Sequence, residues 1–207
     1  MMNPNERFPI SLGEAIFTLR AIRRFKNEPI DNEIIKDILL SATQAPSGGN
    51  SQPWHFLVIK DKKQKQEFAG LYHQAWWAKR ADQGIYKPED IAENNKTTLS
   101  AMKLSDEIAT APAIILVCAT AQGSGPMGSV IPAVQNLLLT ARSLGIGGTI
   151  TTLHPSVEEQ VKSMFNMPEN VQIVYCVPIG YPKGNFGPVQ RKPLAEVTSL
   201  GFWGEPL

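Results

Sequence analysis

The sequence predicts an α+β fold, and three observations carry that reading. Stretches with a helical apolar period dominate the chain. Strand-like runs are few, at 56–59, 113–118, 148–152 and 171–177, and lack the regular βα alternation of a doubly wound sheet. At 207 residues, 43% of them hydrophobic, the chain fits one domain over 1–207 with a sizeable core.

The elements follow in order. Ser11-Leu12-Gly13-Glu14 reads as a capping box opening a first helix that leads into an arginine run. Asp31 opens a second helix, with Ile34, Ile35, Ile38, Leu39 and Ala42 in period, ended by Pro46 and Gly48-Gly49. Phe56–Ile59 reads as a strand. Asp61 caps a long helix through Lys79, on which Tyr72, Trp76 and Trp77 read as packing residues. A further helical stretch covers 88–108, and Ala113–Cys118 is a buried strand. Residues 128–144 read as a helix with Pro132 in its first turn, where a missing N–H is tolerated, and Gly145 at a C-terminal position needing positive φ. After a short strand at 148–152, His154-Pro155-Ser156 opens a helix to Phe165, and 171–177 is the last core strand. Residues 195–207 are rich in glycine, proline and aromatics and read as an extended C-terminal arm.

Composition excludes several classes. A net charge of +1 gives no electrostatic case for nucleic acid or an anionic membrane. The start, Met1–Arg7, lacks a charged region followed by an apolar stretch, and Ala113–Ala119 is too short to span a bilayer, so a cytoplasmic protein is expected. The two cysteines, Cys118 and Cys176, sit in apolar runs and read as buried free thiols. Three scattered histidines offer no zinc spacing, and no metal is expected. Gly123-Ser-Gly125-Pro-Met-Gly128 matches the dinucleotide fingerprint G-x-G-x-x-G, but no Asp or Glu occurs from 129 to 157, where the ribose-binding acid would fall. It reads as a strand-to-helix loop. There is no G-x-S-x-G elbow and no P-loop.

What remains is a set of cations and short polar residues. Arg20, Arg23, Arg24 and Arg191 can hold a phosphate, because a guanidinium binds it bidentately and does not lose its charge. Ser47, Asn50, Thr149, Thr151 and Thr152 can donate to or accept from the edge of a planar ring, and Gly147-Gly148 lets backbone approach it closely. Arg24 reads as solvated.

Three blocks among these residues resemble the FMN-dependent nitroreductase family: Arg20-Ala-Ile-Arg23-Arg24-Phe25; Pro46-Ser47-Gly-Gly-Asn50-Ser-Gln52-Pro53-Trp54; and Gly180-Tyr181-Pro182 with Arg191-Lys192-Pro193. They occur in the family's order across 20–194. The resemblance implies a nitroreductase-like fold, a central, mostly antiparallel sheet surrounded by helices, and a homodimer with two FMN sites at its interface. It implies hydride transfer from NADH or NADPH through flavin N5 to a nitroaromatic, quinone or related acceptor, by a ping-pong mechanism. The carried-over cofactor residues are Arg20, Arg23, Ser47, Asn50, Gly148, Thr151, Thr152 and Arg191, with Arg23 near N1 and O2 and Arg20 and Arg191 on the phosphate; no catalytic acid or base is implied. The chain departs from the family where two arginines and a serine usually stand: here they are Leu19, Arg20 and Ala21. Two alternatives stay open. One is the reductive dehalogenase branch, whose Glu-x-x-x-Tyr pair and later lysine have a partial match in Asp82–Tyr86 with Lys96 or Lys103. The other is a non-catalytic flavin-binding protein.

Overall fold

The structure, a computed structural model, describes residues 8–207. The start read above for a signal, Met1–Arg7, lies outside the described residues. In chain order the elements are α1 (Leu12–Thr18), α2 (Asn32–Ala42), β1 (Trp54–Ile59), α3 (Lys62–Ala81), α4 (Lys96–Glu107), β2 (Ala113–Ala119), α5 (Ser124–Ser143), β3 (Gly147–Gly148), α6 (Pro155–Met164) and β4 (Gln172–Gly180).

The sheet has the order β1-β2-β4-β3, with every neighbouring pair antiparallel. β2 is paired on both edges and covered on both faces, which is why its sequence is continuously apolar rather than alternating. Ile115 and Val117 join one cluster with Ile38 and Ala42 of α2 and Val134 and Leu137 of α5. Ile114, Leu116 and Cys118 join the other with Phe68 of α3, Leu104 of α4 and Val161 of α6. A bulge between Val117 and Cys118 shifts the register with β4. Val174 and Tyr175 therefore both pack toward the first cluster while Cys176 turns to the second. Truncating a fully buried side chain such as Leu116 to alanine costs about 2–5 kcal/mol.

Local chemistry fixes the helix starts. Ser11 Oγ accepts from the Glu14 N–H at 3.0 Å, but the Glu14 carboxylate reaches Arg142 instead of closing a reciprocal capping box. Asp61 accepts from Gln64 N–H at 2.9 Å, and His154 Nδ1 accepts from Ser156 N–H at 3.2 Å. Gly145 takes φ 74° after α5, as its position requires.

Several boundaries differ from expectation. α5 begins at Ser124, so the glycine motif forms its first turn rather than a loop. Pro126, not Pro132, occupies that first turn, where N–H groups lack helical acceptors anyway; Pro132 lies in the interior. Burial of Val130, Ala133 and Val134 outweighs the weak helical preference of that stretch. The expected 88–108 helix divides into a 3-10 turn at Pro88–Asp90 and α4, capped by Asn95. The expected 148–152 strand reduces to β3 and an isolated bridge from Thr151 to Cys176. α1 stops at Thr18, leaving the arginine run outside any helix. Beyond residue 194 the chain makes a 3-10 turn at Leu194–Glu196 and folds back between Leu200 and Glu205. Among the described residues, no helix is long and apolar enough to cross a membrane.

Candidate functional site: an arginine-lined cavity

Residues 22–26 are threaded between the two glycine-containing stretches at the sheet edge. Ile22 N–H donates to Gly148 O at 2.9 Å, Lys26 N–H to Tyr181 O at 2.8 Å, and Lys183 N–H to Arg24 O at 3.0 Å. Phe25 bridges Pro182. Only glycines allow this approach: a Cβ on Gly147 would lie 2.6 Å from Ile22 Cγ1, and one on Gly180 would lie 2.6 Å from Pro112 Cδ and 2.9 Å from Phe25 Cβ. A Cβ on Gly148 would meet Ile179 and Leu138 at 3.0 and 3.1 Å, so that glycine also serves packing.

This threading places Arg20 and Arg23 on a cavity of about 820 Å³. Gly148, Thr149 and Ile150 form one side, and Arg191 reaches it from the C-terminal segment. Phe17, Leu138 and Val189 give apolar walls, and Gln135 of α5 adds an amide. Three guanidinium groups line the cavity and no carboxylate does. Among the described residues, neither Arg20 nor Arg23 makes a hydrogen bond or ion pair; Arg191 Nη1 donates to Gln190 O at 2.9 Å. Burial lowers the pKa of half-buried Arg23, against a raising influence of Tyr72, but arginine remains charged at any ordinary pH. Unpartnered guanidinium groups in an open cavity suit an anionic ligand.

Arg142 sets the position of one wall. Its Nε donates to Thr18 Oγ1 at 2.8 Å, its Nη2 to Glu14 Oε1 at 3.1 Å, and its guanidinium lies 4.2 Å from the Phe186 ring centroid. Gly187 N–H donates to Thr18 O at 3.1 Å. The end of α1 and the segment carrying Arg191 are thereby tied to α5.

Of the residues singled out in the sequence, the fold brings Arg20, Arg23, Gly148, Thr149 and Arg191 together at this cavity. Thr151 Oγ1 donates to Cys176 O at 2.8 Å. Lys79 Nζ donates to both the hydroxyl and the carbonyl of Thr152. Burial depresses the Lys79 pKa to about 8, with Cys176 raising and Arg80 lowering it further. Ser47 and Asn50 lie elsewhere within the chain, in a loop with Gly49, Asn50 and Gln52 at φ 59°, 54° and 50°. Two non-glycine residues in the left-handed region mark a strained loop. Ser47 Oγ accepts from Gln52 N–H at 3.1 Å, Asn50 Oδ1 accepts from Gln52 Nε2 at 3.2 Å, and Gly48 N–H donates to Ser129 Oγ at 3.2 Å. Arg24 is exposed. Sequence reasoning passed over Gln135 and Phe17. The signal for Gln135 is weak: it stands one turn before Leu138, but Asn136, Thr140 and Arg142 make the same helix polar elsewhere.

An antiparallel sheet between two helical layers, with a cationic cavity at its edge, defines the class: an α+β protein with three arginines lining one small-molecule-sized cavity. The chain belongs to the nitroreductase family, whose family model, described as Nitroreductase family, matches residues 17–181. It is similar to a protein of Archaeoglobus fulgidus assigned as NADH dehydrogenase/NAD(P)H nitroreductase, 30% identical over 175 residues, or 81% of this chain and 83% of that one. It is also similar to the 5,6-dimethylbenzimidazole synthase of Rhodospirillum rubrum, 30% identical over 204 residues, or 91% and 88% of the two chains. Among solved structures, oxidised iodotyrosine deiodinase bound to FMN and 3-iodo-L-tyrosine superposes with a TM-score of 0.72 at 26% identity, covering 88% of this chain and 96% of that one.

Proposed function

We propose that this protein is an FMN-dependent oxidoreductase that uses NADH or NADPH as donor and a nitroaromatic, quinone or related compound as acceptor. The observation that carries the reading is the cavity with three guanidinium groups and no carboxylate. The residues fit FMN. Arg20 and Arg191 would hold its phosphate, Arg23 would face the ring edge that gains negative charge on reduction, and Phe17, Leu138 and Val189 would shield the flat ring. When bound, FMN supplies a two-electron carrier, while the protein supplies position and electrostatics. The volume falls in the roughly 300–1,000 Å³ range of small-molecule sites.

The functional unit in this reading is a homodimer. The loop with Ser47 and Asn50 does not line the cavity of its own chain, and the second copy's loop would complete the site. Phe17, Ile131 and Ile150 leave 76%, 46% and 43% of their surfaces exposed, which suits a covered interface. Gly148, Thr151 and Thr152 would contribute by shaping the 147–152 backbone.

The test is whether purified protein retains FMN rather than FAD and whether NADH or NADPH bleaches it anaerobically. Initial-rate plots against donor and acceptor should give parallel lines, since one flavin face serves both in turn. Colourless protein that takes up no FMN would defeat the reading; retained FMN that neither nicotinamide reduces would favour the non-catalytic one. A dehalogenase remains the second reading, favoured by the likeness to the deiodinase. Against it, Asp82 Oδ2 is engaged by His154 Nε2 at 3.1 Å. Release of iodide from 3-iodo-L-tyrosine by the dithionite-reduced protein decides between them.

A further inference from the structure

A second basic hollow lies against the same arginine run. It encloses about 320 Å³, and Arg20, Arg23, Arg24 and Lys183 line it together with Ser100 of α4 and Asn185. No carboxylate lines it. Among the described residues, none of these six side chains makes a hydrogen bond or ion pair. In a chain with 19 acidic against 20 basic residues, four cations converging without a counter-charge are not an effect of composition. The backbone explains the convergence: Lys183 N–H donates to Arg24 O, and the Phe25–Pro182 bridge fixes the two strands of chain beside each other.

We propose that this hollow is a phosphate site for the nicotinamide donor, taking the 2′-phosphate of its adenosine and biasing the protein toward NADPH. The inference rests on the flavin reading above and deepens it. FMN carries one phosphate, and the larger cavity offers Arg191 with Arg20 for that group. Arg24 and Lys183 do not line the larger cavity, so their charges are left for a different anion. Arg20 and Arg23 line both spaces, so an anion in the hollow would sit beside the ligand of the larger cavity, within reach of the adenosine end of a dinucleotide whose nicotinamide covers the flavin. A phosphate monoester presents several acceptor oxygens, and guanidinium, ammonium, hydroxyl and amide groups are its matching donors.

The test uses the FMN-loaded protein and calorimetric titration with 2′,5′-ADP, 5′-AMP and inorganic phosphate. The expected result is that 2′,5′-ADP binds about tenfold or more tightly than 5′-AMP, the size of one charge-assisted contact. The double variant Arg24→Ala/Lys183→Ala should erase that difference and lower the ratio of NADPH to NADH kcat/KM about tenfold. Both residues are exposed, so the fold should tolerate their loss. Equal binding of 2′,5′-ADP and 5′-AMP overturns the proposal. So does binding of inorganic phosphate with no preference for 2′,5′-ADP, which makes the hollow a free-anion site. Loss of FMN from the double variant also overturns it, by assigning the hollow to the flavin phosphate. The titration needs no turnover, so failure of either nicotinamide to reduce the flavin would sink the proposed function while the binding result still judged the hollow.

Discussion

Replacing Gly147 by alanine should disturb the cavity from beneath. The added Cβ would lie 2.6, 2.7 and 2.8 Å from Cγ1, Cβ and Cγ2 of Ile22. Carbon atoms prefer about 3.5–4.0 Å, so a shift of about 1 Å is required. Ile22 cannot rotate clear, because its own Cβ is among the clashing atoms and its N–H is bonded to Gly148 O at 2.9 Å. Overpacking of this kind costs about 1–3 kcal/mol, and weakening the hydrogen bond adds about 0.5–1.5 kcal/mol. The expected destabilisation is therefore about 2–4 kcal/mol, or on the order of 10 °C in Tm for a chain of this length. Because Ile22 lies between Ala21 and Arg23 on the cavity wall, FMN affinity should fall as well. Chemical denaturation and flavin titration measure the two effects. Gly70→Ala is the control: Gly70 lies in α3 with nothing within 4 Å of its would-be Cβ, and alanine there should stabilise by about 0.5–1 kcal/mol. Ile22→Ala should not rescue Gly147→Ala, since the Cβ contact persists. A Gly147→Ala protein with the wild-type unfolding midpoint and FMN affinity would refute the threading argument.

Arg191→Ala should weaken FMN binding about tenfold, the lower end for a charge-assisted contact because Arg191 is exposed, whereas Arg24→Ala should leave FMN affinity near wild type; equal dissociation constants for wild type and Arg191→Ala would remove that residue from the site. Lys79 gives a pH dependence: its folded pKa of about 8 lies below its unfolded value, so the unfolded chain binds more protons between them and stability contributed by Lys79 rises as pH increases through that window. Urea unfolding of wild type and Lys79→Met from pH 7 to 10.5 should show this rise in their difference, and a flat difference would show that Lys79 is not desolvated. Sedimentation should find a dimer, and deletion of 199–207, which removes Phe202 and Trp203 at 82% and 101% exposure, should weaken it; a stable monomer fully loaded with FMN would exclude a site shared between copies.

The readable parts of this chain were those governed by local chemistry. Ser11, Asp31, Asp61 and His154 declare helix starts because each carries an acceptor for an otherwise unpaired N–H. β2 is visible as a run that must be buried on both faces. What escaped depended on distant partners. The start of α5 at Ser124 is set by packing of its following turns, which overrides two glycines and a proline. The directions of the Thr151 and Thr152 hydroxyls are set by Cys176 O and Lys79 Nζ, residues far away in sequence. Gly147 looked like a concession to a ligand, whereas a Cβ there would meet Ile22 of the chain itself, and one on Gly180 would meet Phe25 and Pro112. Arg20, Arg23 and Arg191 were legible as candidates by their chemistry, and only the fold shows that they share a cavity.

Cys118 and Cys176, the chain's two cysteines, point into the same cluster beneath α3, α4 and α6 and are free. Burial pushes both thiols up to about 12. At neutral pH the reactive thiolate is then on the order of one part in a hundred thousand, and the folded protein should resist alkylation and peroxide alike. If the flavin proposed above were reoxidised by dioxygen it would generate peroxide, from which these two buried thiols would be shielded. The same shielding turns the two thiols into reporters. Their labelling rate measures how often the β2–β4 half of the sheet opens, and its slowing on addition of FMN would read out, residue by residue, how far the ligand's binding energy is transmitted into the core.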